Sequence, residues 1–212
     1  MKMNLPNKLS LLRLIMVPIF MVVMLLPVFT EFSPLVDTIL TLVGAFLFIA
    51  ASLTDMLDGK IARKYNLVTD FGKFIDPLAD KFMVIGAMFC IFFNNKDNLV
   101  MFSIFFFALL VIVFRELAVT GIRLVAASGK EKVVIAANIL GKMKTVMQII
   151  AICAAILEPI IYSAIGSMIT IPEWLTKYPP LTIVTMALMT YLTIHSGINY
   201  IVGAWKYLDP QK

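Results

Sequence analysis

Leu14-Ile-Met-Val-Pro-Ile-Phe-Met-Val-Val-Met-Leu-Leu-Pro-Val-Phe29 carries no charged and no hydrogen-bonding side chain. With the residues just before it, this run approaches the roughly 20 apolar positions a helix needs to cross a hydrocarbon core about 30 Å thick. Lys2, Lys8 and Arg13 precede it, an order that a secretory signal also shows. It ends, however, in Pro27-Val-Phe-Thr-Glu31 with no small-x-small cleavage site, and further apolar runs follow. It is therefore an uncleaved first span. Counting it as 10–29, the other spans fall at about 36–57, 74–93, 99–120, 143–168 and 181–204. Of the 212 residues 61% are hydrophobic and 15% charged, where a soluble domain carries about 25% charge. The expected fold class is an all-α integral membrane protein, six transmembrane helices in a single domain over 1–212.

Charge sets the orientation. An even number of spans puts both termini on one side, and of the 18 Lys and Arg only Lys96 and Lys177 fall on the other. The positive-inside rule makes the basic side, and so both termini, cytoplasmic. Cys90 and Cys153 lie in apolar stretches without a CxxC, so they are small apolar fillers and no disulfide is expected. His195 is the only histidine, and an interhelical hydrogen bond is expected of it rather than metal ligation. The 121–142 connection reads as a solvated basic loop, and Trp174 as an interfacial residue.

Against this background Asp55, Asp58, Asp76 and Asp80 stand out. Asp55 lies about 29 Å along a helix from Val36, and Asp76 and Asp80 open the returning helix, so all four reach the cytoplasmic edge of the core. Pro77 suits an early-turn position there. Arg115, about 24 Å along a helix from Leu99, reaches the same depth. Spacings of three and four put each aspartate pair on one face of its helix. Four carboxylates that close need a cation. Their hard oxygens favour Mg²⁺, Mn²⁺ or Ca²⁺, and nothing supplies the Cys or His ligands expected of zinc. Gly59 and Ala62 follow on the same helix and let a ligand approach the backbone, Arg63 is suited to phosphate, and Gly72 permits close helix approach. Helix caps or local ion pairs would account for any one of these aspartates, but not for the ordered set.

That set, Asp55-x-x-Asp58-Gly59-x-x-Ala62-Arg63, eight residues, then Gly72-x-x-x-Asp76-x-x-x-Asp80, resembles the full signature of the CDP-alcohol phosphotransferases, membrane enzymes of phospholipid synthesis. The resemblance implies that Asp55, Asp58, Asp76 and Asp80 hold two divalent cations, Mg²⁺ or Mn²⁺, against the diphosphate of a CDP-linked donor. It implies that Asp80 is also the general base. Asp58, Gly59, Ala62, Arg63 and Gly72 would belong to the donor site, and a homodimer is usual for the family.

The signature does not name the acceptor. Arg115-Glu116-x-x-Val119-Thr120-Gly121-x-Arg123, Gly141-Lys142-x-Lys144-Thr145 and the opening Asn4-x-Pro6-Asn7-x-Leu9-Ser10-x-x-Arg13 resemble the bacterial phosphatidylglycerophosphate synthase branch. Leu117 and Ser10 stand where that branch more often has Phe and Thr. The implied reaction is CDP-diacylglycerol plus sn-glycerol 3-phosphate giving phosphatidylglycerophosphate and CMP, in a bacterial plasma membrane with the site facing the cytoplasm. Arg115, Arg123 and Lys142 would hold the acceptor phosphate. Membrane lipid is the only other partner expected; a nucleic-acid partner is not. Serine, inositol phosphate or phosphatidylglycerol as acceptor is the nearest alternative. A cation- or proton-coupled transporter is the alternative from another class, and it calls for mid-membrane acids and repeated halves that this sequence lacks.

Overall fold

The computed structural model describes residues 3–65, 67, 69–128, 139–166 and 168–205, without the side chains of Arg63, Ala127, Ser128 and Ile139. Most of these residues are helical, with no strand among them. Six long helices, α1 (Leu5–Phe29), α2 (Pro34–Lys64), α3 (Asp70–Asn94), α4 (Leu99–Ser128), α5 (Ile139–Gly166) and α7 (Pro180–Ala204), alternate in direction, and a short α6 (Glu173–Lys177) precedes the last. Five of the six are long and apolar enough to cross a membrane. The exception is α3, which carries Asp70, Lys73, Asp76, Asp80 and Lys81 in its first half and buries ten of its residues.

The helices start where local chemistry fills their free N–H groups. Asn4 caps α1 by accepting from the Asn7 N–H at 3.1 Å, and Thr69 caps α3 by accepting from the Gly72 N–H at 3.0 Å. The Thr69 cap starts α3 earlier than the apolar run alone suggests. Pro77 therefore lies inside the helix rather than in its first turn, and it removes one ladder hydrogen bond there. Similarly, α4 continues to Ser128, so the 121–142 connection is shorter than expected. Lys130 and Lys132 lie outside the described residues, as do Lys2, Lys206 and Lys212.

In the packing, α1 lies against α2 and α3, α7 against α4 and α5, and α3 against α4. The shared core holds Val17, Phe48, Met88, Met101, Phe105, Ile112, Ile152 and Met189, all but excluded from solvent. Phe20 and Phe48 meet with ring centroids 5.9 Å apart. Large apolar side chains such as Ile15, Ile19, Phe107, Leu110, Phe114 and Val184 face outward. A surface this apolar suits hydrocarbon as solvent, where close packing rather than hydrophobic exclusion joins helices. Cys90 is buried, and both cysteines are free. His195 differs from expectation: it lies on the exposed face of α7, and its partner is Asn199 on the same helix, at 3.2 Å, with Tyr191 stacked on its ring.

Candidate active site

One end of the bundle gathers the N-termini of α1 and α3 with the C-terminus of α2. Residues 55, 58, 59 and 62 share one face of α2 by helical periodicity, so the two aspartates and the small residues Gly59 and Ala62 form one strip. Asp76 and Asp80 lie one turn apart on α3. Sequence spacing alone does not say what joins the two pairs. The answer is α1.

Arg13 is completely enclosed. Its Nη1 donates to Asp55 Oδ1 at 2.7 Å and to Asp80 Oδ1 at 2.8 Å, and its Nη2 pairs with Asp58 Oδ2. One turn earlier, Ser10 Oγ donates to Asp76 Oδ1 at 2.5 Å and lies 3.4 Å from Asp58 Oδ2. One turn earlier again, Asn7 Nδ2 donates to Thr69 Oγ1 at 2.9 Å, and Asn4 Nδ2 reaches the Leu67 carbonyl at 2.7 Å. Asn4, Asn7, Ser10 and Arg13 thus form an i, i+3 polar stripe down α1, continued deeper by buried Val17, Phe20 and Met24. All four aspartates are bound to this stripe. Gly72 explains how α1 comes so close, since a Cβ there would lie 2.9 Å from Asn7 Oδ1.

Arg13 and Ser10 had read only as a positive-inside residue and part of a resemblance. Their signal was the three-residue spacing of polar side chains running into the buried face of α1. A charge sunk that far into an apolar helix calls for partners.

The donor set suits a hard divalent ion, being carboxylate oxygen throughout. Among the described residues no three Asp, Glu, His or Cys side chains already close on a common point as a metal site. Instead the two Nη atoms of one guanidinium lie between Asp55, Asp58 and Asp80. One guanidinium faces four carboxyl groups, so the residues fit further cations.

A second polar cluster adjoins the first through α3. Lys81, next in sequence to Asp80, donates from Nζ to Thr120 Oγ1 on α4. Glu116, one turn before Thr120, accepts from Arg115 Nη1 at 3.1 Å and from Lys144 Nζ of α5. Glu116, Arg115 and Lys144 are all largely enclosed, and with Lys81 three cations gather around one carboxylate in a net positive cluster. Lys144, not Lys142, is the buried lysine of its segment. Arg123 lies outside this cluster, where it donates to Tyr200 Oη at 3.0 Å and stacks on that ring. The Arg63 side chain falls outside the described residues.

Comparison with known proteins now bears on this site. The sequence model of the CDP-alcohol phosphatidyltransferase family matches residues 3–194, so it takes in every residue of both clusters. The chain belongs to that family. It is 41% identical over 213 residues, 97% of each chain, to a Bacillus subtilis (strain 168) protein named CDP-diacylglycerol–glycerol-3-phosphate 3-phosphatidyltransferase. It is 37% identical over 208 residues to the protein of that name from Rickettsia felis, covering 96% of this chain and 97% of the relative. With the Rickettsia bellii protein of the same name it shares 33% over 204 residues, at the same coverage. The aspartate spacing and the family membership agree, and the stripe on α1 lies inside the matched region.

Proposed function

We propose that this chain transfers the phosphatidyl group of CDP-diacylglycerol to sn-glycerol 3-phosphate, giving phosphatidylglycerophosphate and CMP. The observation that carries the reading is the gathering of Asp55, Asp58 and Asp80 around the Arg13 guanidinium with Asp76 held beside them by Ser10, and a cationic cluster one residue further along α3. Relatives named for that transferase match over nearly their whole length.

In this reading Asp55, Asp58, Asp76 and Asp80 hold two divalent cations, Mg²⁺ or Mn²⁺. When bound, such ions neutralise a diphosphate and stabilise CMP as a leaving group. The small face of Gly59 and Ala62, with Arg63, receives the cytidine nucleotide, and Gly72 keeps α1 against α3 beneath it. Arg115, Lys144 and Lys81 hold the acceptor phosphate. Asp80 takes the proton of an acceptor hydroxyl, whose oxygen forms a bond to the lipid-side phosphorus. The bond from that phosphorus to the bridging oxygen breaks, and CMP carries the electron pair away. The site faces the cytoplasm of a bacterial plasma membrane, where the basic residues gather, and a homodimer belongs to the same reading.

Purified protein in detergent, given CDP-diacylglycerol and Mg²⁺ or Mn²⁺, tests this with each acceptor in turn. CMP release with glycerol 3-phosphate alone is expected. Release with serine or inositol phosphate instead would reassign the acceptor, and release with none would remove the activity.

A further inference from the structure

Arg13 takes no part in the transfer chemistry set out above, yet it occupies the centre of the site with no exposure at all. Its partners are Asp55 Oδ1, Asp58 Oδ2 and Asp80 Oδ1, oxygens that a divalent ion would also take. Its Nε is buried without a hydrogen-bond partner, so the cradle does not satisfy the whole guanidinium. Charge rather than complete hydrogen bonding holds it there. Arginine does not deprotonate in proteins, so it leaves such a position only by moving. Ser10 and Asn7 tie the helix around it to Asp76 and Thr69, which allows the side chain to move while α1 stays.

We propose that Arg13 is the resident cation of the ion-free site: it holds the aspartates together against their mutual repulsion, and binding of divalent ions displaces it from Asp55, Asp58 and Asp80. Arg13 is thus a positioning residue whose role ends when the ions arrive. The inference rests on the two-ion reading above. It predicts an exchange of one cation for others on shared oxygens, which a permanent ion pair of the fold would not show.

Mn²⁺ is the probe, added to donor-free protein in detergent and followed by the electron paramagnetic resonance of the free ion. Thermal unfolding is measured in parallel in EDTA and in saturating Mn²⁺. Arg13→Gln and Arg13→Lys are purified with Mn²⁺ present and then stripped. A charge within about 4–6 Å changes a carboxylate's proton affinity by about ten- to a thousandfold, so Arg13→Gln is expected to bind Mn²⁺ about tenfold tighter or more. It is also expected to melt below the wild type in EDTA, and that deficit closes in Mn²⁺ because the ion restores the lost counter-charge. Arg13→Lys falls between the two, having charge without the fork that bridges three carboxylates. Unchanged or weaker Mn²⁺ affinity in Arg13→Gln would overturn the proposal, as would a melting deficit of equal size with and without the ion. Failure of both variants to fold with Mn²⁺ present would overturn it too, since the arginine would then be needed whatever ion is bound. If the wild type binds no Mn²⁺, the two-ion reading fails instead.

Discussion

Asp80 is the most open of the three aspartates on Arg13, its side chain 44% exposed against 27% for Asp55 and 5% for Asp58. A base must reach the acceptor hydroxyl, and access of this kind suits Asp80 better than the enclosed Asp58. Asp80→Asn keeps the shape and the hydrogen bond from Arg13 but has little affinity for a proton. It is expected to lower kcat by about 10²–10⁴-fold while donor binding survives in part, checked by CMP release and donor titration. A similar contrast separates two lysines that are neighbours in sequence. Lys144→Ala is expected to raise KM for glycerol 3-phosphate by about 10- to 100-fold, as for a lost charge-assisted hydrogen bond of about 1.5–3 kcal/mol. Lys142→Ala, changing an exposed side chain, leaves that KM close to wild type. Equal effects of the two would break the assignment of the enclosed cationic cluster to the acceptor.

Between elements, close approach and trans capping do the positioning. A methyl at Gly72 would lie 2.9 Å from Asn7 Oδ1, and Asn7 is pinned between its own helix cap and Thr69. Gly72→Ala therefore pushes α1 from α3 and is expected to cost about 1–3 kcal/mol, read as a lower melting temperature together with lost activity. At the far end of the bundle, α7 begins at Pro180 after Pro179, with no capping side chain of its own. Glu158 of α5 fills that role, accepting from the Leu181 N–H at 3.1 Å, the Thr182 N–H at 2.7 Å and the Thr182 hydroxyl at 2.8 Å. Glu158→Ala strands those donors and is expected to destabilise by about 1–3 kcal/mol without altering either KM, since it lies at the opposite end from the aspartates. The helices themselves were legible in the sequence, because apolar runs and basic ends need only local reading. The trans cap was not, because a buried glutamate inside α5 gives no local sign of the helix it serves. The aspartates were legible as a spaced set. What gathers them was not, for its residues lie 42 to 67 positions away on a helix that reads as an anchor.

On the scale of the whole molecule, the bundle is divided into parts that meet through α3. α1, α2 and α3 build the aspartate cluster, α4 and α5 the cationic cluster, and Lys81 on α3 touches the second while its neighbour Asp80 belongs to the first. The order of synthesis gives Arg13 a consequence of a different kind. It leaves the ribosome in the first helix, whereas its partners follow 42, 45 and 67 residues later. Until then the arginine has no counter-ion, and a lone arginine at the centre of a membrane helix costs about 2.5–3.5 kcal/mol, less where it can stretch to the surface. A nascent α1 therefore holds Arg13 toward the headgroups, until α2 brings Asp55 and Asp58 and α3 brings Asp80 to draw the charge inward. Phenylglyoxal, which modifies accessible arginines, checks this during translation: Arg13 is expected to react in chains halted before Asp55 and to be protected once α3 is complete. The first span enters the bilayer as an unfinished part of the site, and the centre of the site is the last thing it acquires.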